Sequence, residues 1–281
     1  MAKKIIITAA LTGTTTPKHG NPNLPTTPAE IAQDAYNCWK AGAAIVHLHM
    51  RDDNTAGTME AARFKETIDL IRAHKDCDVI INCTSSGTAF PLPNADRMVH
   101  FNTIPEIEMG TYDVGTINWA CMGIFENSPG FLRELAKCYD DNGVLPEVEM
   151  FDMGMISNMK YYREHGVLNQ PLWCQLVLGV LGGAPATVAC LEHLVRHLPE
   201  DAKWSAFGIG KDQLPIMYAA LALGADGIRV GMEDNLWFSK GVQADNPMQV
   251  ERAVRVVKEF DRVHATSAET REILGMKPFV R

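Results

Sequence analysis

The stretch Ala43-Ala44-Ile45-Val46-His47-Leu48-His49 joins a short apolar run to two histidines that stand two positions apart. A run of this kind predicts a buried β-strand, and along a strand every second side chain points to the same face. His47 and His49 would therefore share a face, where two imidazoles can bind a divalent metal. Either histidine could instead be a hydrogen-bonded core residue, so a metal site needs a third ligand.

A carboxylate that could be this third ligand follows a second strand-like run near the other end of the chain. Gly227-Ile228-Arg229-Val230-Gly231-Met232 leads directly into Glu233-Asp234. Two histidines and a glutamate are a typical ligand set for catalytic zinc, with one position left for water or substrate. The sequence therefore predicts a metal site at His47, His49 and Glu233, with zinc as the first choice.

Short strand-like runs alternate with amphipathic stretches along the whole chain, which is typical of repeated βα units and a parallel sheet. The chain has 281 residues, close to the roughly 250 residues of a closed eight-stranded barrel. We therefore predict an α/β fold, a single (β/α)8 TIM barrel domain over residues 1–281. The predicted strands are Lys4–Ala10, Ala44–Met50, Val79–Thr84, Glu106–Thr111, Leu145–Phe151, Leu172–Val177, Lys203–Ala206 and Gly227–Val230.

Helix start signals agree with this spacing. Thr27-Pro28-Ala29-Glu30 supplies a capping hydroxyl, a first-turn proline and a returning carboxylate ahead of a helix over Ile31–Lys40, and Asn246-Pro247 opens the last long helix. The pattern is weakest over Phe90–Phe101. The other predicted helices are Ala61–His74, Phe131–Tyr139, Ile156–His165, Ala186–Leu198, Leu214–Leu223 and a short one near Ala268–Leu274.

The composition narrows the class of partner. A formal net charge of -8, a pI near 5.6 and the lack of a lysine–arginine cluster argue against nucleic acid or an anionic membrane and favour a small molecule. Seven cysteines without CxxC spacing fit reduced thiols better than a disulfide framework. The first apolar stretch is too short for a signal peptide, and no run approaches the ~18 apolar residues of a membrane span. We expect a cytoplasmic protein.

Several predicted strand ends carry polar side chains where a barrel core would prefer valine, isoleucine or leucine. They are Thr84, Thr111, Asp113, Glu147, Glu149 and Arg229. Glu147 and Glu149 share one strand face, and two inward carboxylates are costly without a cation or hydrogen-bond donors. They belong either to a catalytic site or to an internal ion-pair layer with Arg229. Glycines after the sixth and seventh strands either bind an anion or only permit tight turns.

Five short motifs follow one another along the chain: Thr8-Ala9-Ala10-Leu11-Thr12-Gly13, Asn21-Pro22-Asn23-Leu24-Pro25, Val46-His47-Leu48-His49, Pro146-Glu147-Val148-Glu149 and Gly231-Met232-Glu233-Asp234-Asn235. Together they resemble the β-keto acid cleavage enzymes, the family that includes 3-keto-5-aminohexanoate cleavage enzyme. The resemblance runs over almost the whole chain. It implies a (β/α)8 barrel with a metal, usually zinc, held by two histidines and a glutamate, which match His47, His49 and Glu233.

The resemblance also implies a reaction in which a β-keto acid and acetyl-CoA become acetoacetate and a new acyl-CoA. A base removes the C2 proton, a metal on the keto oxygen stabilises the enolate, and the enolate attacks the thioester in a Claisen-type step. The released CoA thiolate then attacks the original keto carbon, and retro-Claisen cleavage expels acetoacetate. No enzyme nucleophile is needed, so Cys83, beside Thr84, is expected to be a barrel-wall side chain.

The family pattern gives further residues roles. Asp234 and Arg229 match the pair that removes the C2 proton, and we count Glu149 with these catalytic candidates. Thr84 and Thr111 match positions that hold the substrate carboxylate. The substrate-binding candidates are Thr84, Thr111, Asp113, Thr15, Ser85 and Gly87.

Two positions depart from the aminohexanoate enzyme. A first-loop glutamate that receives the substrate ammonium there aligns with Thr15, and Asp113 replaces an asparagine. Because a hydroxyl cannot replace that charge, we predict a different β-keto acid with a neutral or apolar tail. A quaternary ammonium tail stacked on Trp119 or Trp237 is the other possibility.

Other functions fit part of the pattern. A metal-dependent hydrolase of the amidohydrolase type also carries HxH on a barrel strand, but on the first strand and with later histidines, whereas the later strand ends here show Glu149 and Gln175. An aldol-type lyase is chemically closer. A barrel that keeps its metal as a structural or ligand-sensing element is the non-enzyme alternative, and a fourth protein ligand that closes the coordination sphere would favour it. Family precedent indicates a homo-oligomer, a dimer or tetramer.

Overall fold

Eight parallel strands form a closed barrel in the computed structural model, which describes residues 2–87, 92–120 and 123–280. The strands pair in chain order, and the last also pairs with the first. This confirms the predicted (β/α)8 barrel. The strands are β1 (Lys4–Ala10), β2 (Ile45–Leu48), β3 (Ile80–Cys83), β4 (Met109–Asp113), β5 (Leu145–Met150), β6 (Trp173–Leu178), β7 (Lys203–Gly208) and β8 (Gly227–Val230).

Helices connect successive strands and surround the barrel. The predicted capping box is confirmed at the first of them, because the Thr27 hydroxyl accepts from the Glu30 N–H and the Glu30 carboxylate accepts from the Thr27 N–H, each at 3.2 Å. The helices are α1 (Pro28–Ala41), α2 (Ala61–Ala73), α3 (Val99–Thr103), α4 (Pro129–Asn142), α5 (Met153–Glu164), α6 (Val188–Arg196), α7 (Gln213–Ala222), α8 (Asn246–Glu259) and α9 (Ser267–Leu274). Of the weak stretch Phe90–Phe101, residues 90 and 91 lie outside the described residues.

The fourth strand starts later than the sequence predicted. The prediction was Glu106–Thr111, whereas the observed strand is Met109–Asp113. A turn delays the ladder, because the Ile107 N–H donates to the Ile104 carbonyl oxygen at 3.2 Å. The strand also ends later than predicted, so Asp113 lies inside the barrel strand at its C-terminal end.

The second strand is shorter than predicted, and this affects one candidate ligand. The barrel strand ends at Leu48, and the next two residues of strand, Met50–Arg51, pair in the antiparallel sense with Gly57–Thr58. His49 lies between these two segments.

Further short elements in the loops are the antiparallel pairs Ile117–Trp119 with Gly123–Phe125 and Trp237–Ser239 with Val242–Gln243, the strand Val263–His264 beside β1, and 3₁₀ turns at Lys18–Gly20 and Gly210–Asp212.

The barrel interior changes character along its axis. At the N-terminal ends of the strands, Ile6, Ile45 and Ile80 pack with Trp173, and Leu274 of α9 covers this end. The C-terminal ends carry the buried polar side chains instead. The N-terminal end of the barrel is thus closed by apolar packing, and the C-terminal end is where a catalytic site is expected. Within the described ranges, no helix combines the length and apolar character needed to cross a membrane.

Candidate active site

A cavity of about 410 Å³ opens at the C-terminal ends of the strands. Its lining contains ionisable side chains, apolar side chains and the hydroxyls of several threonines and Ser86. The ionisable part comprises His47, His49, Asp113, Glu149, Arg229, Glu233 and Asp234. The apolar part is formed by Trp119, Phe125, Phe151, Val177, Leu181 and Phe207, among others. A site of this volume and mixed lining suits a small molecule that carries both polar and apolar groups.

The three predicted metal ligands meet at one place in this cavity. His47 Nε2 lies 3.6 Å from one carboxylate oxygen of Glu233, and His49 Nε2 lies 3.4 Å from the other. Ligand atoms of all three residues lie within 4.8 Å of one another. His47 stands near the end of β2 and Glu233 follows β8, so the cluster joins the two sides of β1.

The donor atoms are close enough together to share one divalent ion. Ligands about 2.0–2.2 Å from zinc lie roughly 3.3–3.6 Å from one another in a tetrahedral site, and each imidazole nitrogen lies at such a distance from a different oxygen of Glu233. Burial lowers the pKa of His47 to about 3, so its imidazole is neutral and has a lone pair for coordination. Burial alone would raise the pKa of Glu233, but His49 and Arg229 bring this pKa well below its usual range. Its carboxylate is thus ionised, as a metal ligand must be.

Two glycines shape the backbone around Glu233. Gly13 has a φ of +57°, and a Cβ there would lie 2.8 Å from the Glu233 Cγ. Gly231 has a φ of +139°, and a Cβ there would lie 2.0 Å from the Ala10 carbonyl oxygen. These positions need glycine both for backbone conformation and for close approach. The first loop and the loop after β8 can therefore pack tightly against the carboxylate.

Arg229 organises the acidic side chains beside the ligand cluster. Its guanidinium donates to both oxygens of Asp234, at 2.9 Å each, and to one oxygen of Glu233 at 2.8 Å and of Glu149 at 3.1 Å. The ring of Phe207 lies under the guanidinium, 4.3 Å from its carbon. Burial alone would lower the pKa of Arg229, but Asp234 and Glu233 raise it well above its usual value. The Arg229 guanidinium is therefore permanently charged.

The acids differ in how readily they hold a proton. Burial raises the pKa of Asp234 to about 6, although Arg229 opposes the shift. Burial and the carboxyl of Asp113 raise the pKa of Glu149 well above its usual range. Asp113 and Glu149 face each other as register partners on β4 and β5. A carboxyl group whose pKa lies near neutral pH, held beside a permanent cation, can accept a proton from a substrate carbon.

The alternative of an internal ion-pair layer applies to one glutamate only. Glu149 contacts Arg229, whereas Glu147 accepts from the Asn82 amide at 2.7 Å and from the Trp173 indole N–H at 2.9 Å. Burial raises the pKa of Glu147. Glu147 is therefore a satisfied core residue below the cavity, which it does not line.

The predicted carboxylate-binding threonines both line the cavity. The Thr111 hydroxyl oxygen accepts from the Ser85 N–H at 2.9 Å and lies 3.4 Å from the Ser85 hydroxyl oxygen. The Thr84 hydroxyl lies 2.7 Å from that of Ser86, a cavity residue that the sequence analysis missed. Its position in a polar loop two residues after Thr84 was the available signal.

Two substrate-binding candidates lie away from the cavity. Ser85 is fully buried, and its hydroxyl donates to the Thr111 carbonyl oxygen at 2.6 Å. Gly87 approaches the Arg97 side chain. Neither is among the described residues that line the cavity. Both support the loop that carries Thr84 and Ser86.

The candidate tail contacts are separated in space. Thr15 is exposed at the rim and lines the cavity. Trp119 also lines it, stacks on Phe125 at 5.3 Å, and keeps a buried indole N–H without a partner among the described residues. Trp237 is 47% exposed and lies outside the lining. Of the two predicted tryptophans, only Trp119 is positioned to touch a bound substrate.

Arg51 is a buried residue that the sequence analysis missed. Its guanidinium donates to the carbonyl oxygens of Thr12, Gly13 and Thr55, at 2.9–3.0 Å. It thereby fixes the first loop around Gly13, next to the metal-ligand cluster. The alternation that singled out His47 and His49 continues to position 51, and this was the signal available.

The remaining histidines and cysteines lie elsewhere. His100 is buried and stacks on Phe64 at 4.3 Å, and His19 is exposed outside the cavity. Six cysteines are described as free thiols, while Cys121 lies outside the described residues. Cys83 is buried in the hydrophobic core, and burial raises the pKa of its thiol. This confirms its predicted place in the barrel wall.

Comparison with known proteins identifies close relatives. The sequence profile of the beta-keto acid cleavage enzymes matches residues 4–276. The chain is 38% identical over 278 residues to the 3-keto-5-aminohexanoate cleavage enzyme of Fusobacterium nucleatum subsp. nucleatum, covering 99% of this chain and 100% of that one. It is 34% identical to the 3-dehydrocarnitine:acetyl-CoA trimethylamine transferase of Rhizobium meliloti, over 92% of each chain.

A solved structure shares the fold. The apo structure of ObcA superposes with a TM-score of 0.82 at 22% identity, covering 91% of this chain and 66% of that longer chain. At this identity, the likeness supports the barrel architecture alone. The chain thus matches the family in sequence over residues 4–276 and shares the barrel fold of ObcA.

Proposed function

Because this chain belongs to the β-keto acid cleavage enzyme family, we propose that its cavity binds a β-keto acid and acetyl-CoA and produces acetoacetate and a new acyl-CoA. The observation that carries the proposal is the placing of the Arg229-bound Asp234 carboxylate beside the donor atoms of His47, His49 and Glu233. Removing a proton from a carbon between a ketone and a carboxylate requires a base and a stabilised oxyanion in one place.

Asp234 is the proposed base. Its side chain is buried, and Arg229 fixes both oxygens, so the carboxylate can be aimed at one C–H bond. The raised pKa of Asp234, about 6, makes it a stronger base than an exposed aspartate. Arg229 keeps the position of the carboxylate after it has accepted the proton.

His47, His49 and Glu233 are the proposed ligands of a divalent ion, with zinc as our first choice. When bound, the ion would supply Lewis-acid polarisation of the keto oxygen, worth several kcal/mol. The hydroxyls of Thr111 and Thr84 are proposed to bind the substrate carboxylate. Glu149 is proposed to help hold Arg229 in place.

The proposed carbon chemistry balances without a protein nucleophile. After Asp234 takes the C2 proton, C2 forms a bond to the acetyl carbon as the carbon–sulfur bond of acetyl-CoA breaks. The CoA thiolate then bonds to the original keto carbon, the C2–C3 bond breaks, and acetoacetate leaves with the proton returned from Asp234. The buried thiol of Cys83 takes no part.

For the substrate, we propose a β-keto acid with a neutral or apolar tail. The charged side chains that line the cavity belong to the strand ends and to the loop after β8, whereas the rim carries Thr15 and apolar residues such as Leu181. A primary ammonium would find no ion partner there among the described lining residues. A quaternary ammonium, as carried by the named substrate of the Rhizobium relative, could still stack on Trp119.

We further propose a cytoplasmic homo-oligomer. The free cysteines fit a reducing compartment, and family precedent suggests a dimer or tetramer. Size-exclusion chromatography with light scattering would measure the subunit number.

The decisive assay incubates the purified, zinc-loaded protein with acetyl-CoA and a panel of β-keto acids. The panel includes short apolar, branched, hydroxylated, primary ammonium and quaternary ammonium tails, and acetoacetate and acyl-CoA are measured together. We expect equal formation of both products with at least one neutral-tailed acid. Turnover without acetyl-CoA would favour a hydrolase or an aldol-type lyase, and no turnover with zinc bound would favour a ligand-binding barrel.

A further inference from the structure

We propose that Asn246 and Gln249, in the first turn of α8, are positioning residues that set the direction of Glu233 and Asp234. Neither amide lines the cavity. Both make hydrogen bonds to the backbone of the loop Gly231–Asn235, on the side away from the cavity. The inference rests on the proposed roles of Glu233 as a ligand and Asp234 as a base.

Asn246 connects three segments by its side-chain amide. Its oxygen accepts from the Met232 N–H at 2.6 Å, directly before Glu233. Its nitrogen donates to the Leu11 carbonyl oxygen at 2.8 Å and to the Asp34 carboxylate at 2.6 Å. The side chain is fully buried. Asn246 thus ties the loop after β8 to the end of β1 and to α1.

Gln249 spans the same loop from end to end. Its side-chain oxygen accepts from the Gly231 N–H at 2.9 Å, and its nitrogen donates to the Asn235 carbonyl oxygen at 2.7 Å. It is 2% exposed. One amide therefore fixes the two residues that bracket Glu233 and Asp234.

These bonds match the special backbone of the loop. Gly231 has a φ of +139° and lies against Ala10, so the chain turns sharply as it leaves β8. Amide side chains suit this place because each offers one acceptor to an N–H and donors to carbonyl oxygens. A buried N–H that loses such an acceptor is destabilised, and the loop would then shift to find another partner.

A small shift matters here because four distances depend on one loop. Glu233 lies 3.4 and 3.6 Å from the two imidazole nitrogens, and Asp234 makes two bonds of 2.9 Å with Arg229. Outer residues that orient metal ligands commonly change metal affinity or activity by roughly 10–100-fold when replaced. A residue that only supports the barrel would instead change unfolding and leave these properties alone.

The test uses Gln249→Met, which keeps the length of the side chain and removes both hydrogen bonds. Gln249→Glu keeps an acceptor for the Gly231 N–H and loses the donor to Asn235. The matched control is Gln243→Met, because Gln243 is exposed and its side-chain nitrogen donates to the Gly20 carbonyl oxygen, at 3.2 Å, away from the loop Gly231–Asn235. For each variant, zinc affinity is measured by competition with a chromophoric chelator, together with kcat, KM and thermal unfolding of the metal-free protein.

We expect Gln249→Met to bind zinc about 10–100-fold more weakly and to lose kcat by a similar factor, with a smaller change in KM. Gln249→Glu should recover part of the zinc affinity, and Gln243→Met should match the unchanged protein. Zinc affinity and kcat within about threefold of the unchanged protein in Gln249→Met would overturn the proposal, as would equal losses in the control.

If Gln249→Met does not fold, Gln249→Glu alone tests the proposal. We then expect Gln249→Glu to lose zinc affinity or kcat, and unchanged values would contradict the positioning role. The chelator measurement does not depend on the substrate. An unchanged protein that binds zinc but turns over no β-keto acid would therefore contradict the proposed reaction, while the comparison of zinc affinities would still test the positioning role.

Discussion

Arg229 holds Asp234 by two parallel hydrogen bonds, from Nε to Oδ2 and from Nη2 to Oδ1, each 2.9 Å long. This two-point contact fixes the plane of the carboxylate as well as its distance. Next to it, Glu233 accepts a single bond from the same guanidinium, at 2.8 Å. Adjacent acids on one loop thus have different surroundings, and we expect their replacement to have different effects.

Asp234→Asn should abolish turnover while zinc stays bound. An amide cannot accept the C2 proton, so we expect kcat to fall by roughly 10²–10⁴-fold. Glu233→Ala should lose both zinc and turnover because it removes one of three ligands. Equilibrium dialysis with metal analysis, run beside the product assay, separates the two. Equal zinc loss in both variants would show that Asp234 is itself a ligand.

Thr15→Glu should shift substrate preference towards a β-keto acid with a primary ammonium on its tail. The new carboxylate would lie at the cavity rim, where Thr15 is exposed and its chain neighbours Thr14 and Thr16 are uncharged. We expect the ratio of kcat/KM for the ammonium substrate over a neutral one to rise at least about tenfold, equivalent to about 1.4 kcal/mol. Thr15→Gln is the matched control without charge, and an equal shift in that variant would exclude an ion pair as the cause.

Gly13→Ala should weaken metal binding out of proportion to its effect on stability. The left-handed φ of +57° costs an alanine about 1–2 kcal/mol, and its Cβ would press on the Glu233 side chain. Gly241→Ala is the control, because φ is +78° there but, among the described residues other than its chain neighbours, no atom lies within 4 Å of the added Cβ. Both variants should unfold at lower temperature, and only Gly13→Ala should lose zinc affinity. Unchanged zinc affinity in Gly13→Ala would contradict the close contact.

Asp34→Asn should raise stability at alkaline pH. Burial raises the pKa of Asp34 from 3.8 to about 7, although the Asn246 amide opposes the shift. Because the folded state favours the neutral acid, its stabilising effect is complete below about pH 4 and is lost as the pH rises towards 7. One pKa unit corresponds to about 1.4 kcal/mol, so the variant should gain stability at pH 8 and none at pH 4.

Urea unfolding of both proteins at the two pH values measures this difference. Asp96→Asn, which makes the same change of side chain at an exposed position, is the control. A gain for Asp34→Asn that is the same at pH 4 and pH 8 would mean that ionisation of Asp34 is not its cause.

The barrel and the ligand cluster could be predicted from the sequence because both follow from periodicity. Alternation along a strand puts His47 and His49 on one face, and the count of βα units puts Glu233 on a strand end that can reach them. The strand limits were less accurate where a local turn competes with the ladder. The turn at Ile107, for example, delays β4 beyond its predicted start.

Contacts between loops could not be predicted in the same way. Ser85, Ser86 and Gly87 stand in one short loop, and only its three-dimensional path decides that Ser86 reaches the cavity while Ser85 turns towards Thr111. Likewise, Glu147 and Glu149 share a strand face, but depth within the barrel gives one to Asn82 and the other to Arg229. Periodicity determines a side chain's face but not its depth along the barrel axis.

The pairing of β8 with β1 has a consequence for how the protein is made. His47 and His49 leave the ribosome early, whereas Glu233 follows the eighth strand and meets them only after the seam with β1 has closed. A polypeptide whose translation stops after β7 has both imidazoles and no carboxylate to join them. The proposed metal site would therefore form only when synthesis is nearly complete, because only a nearly full-length chain contains all three donor residues.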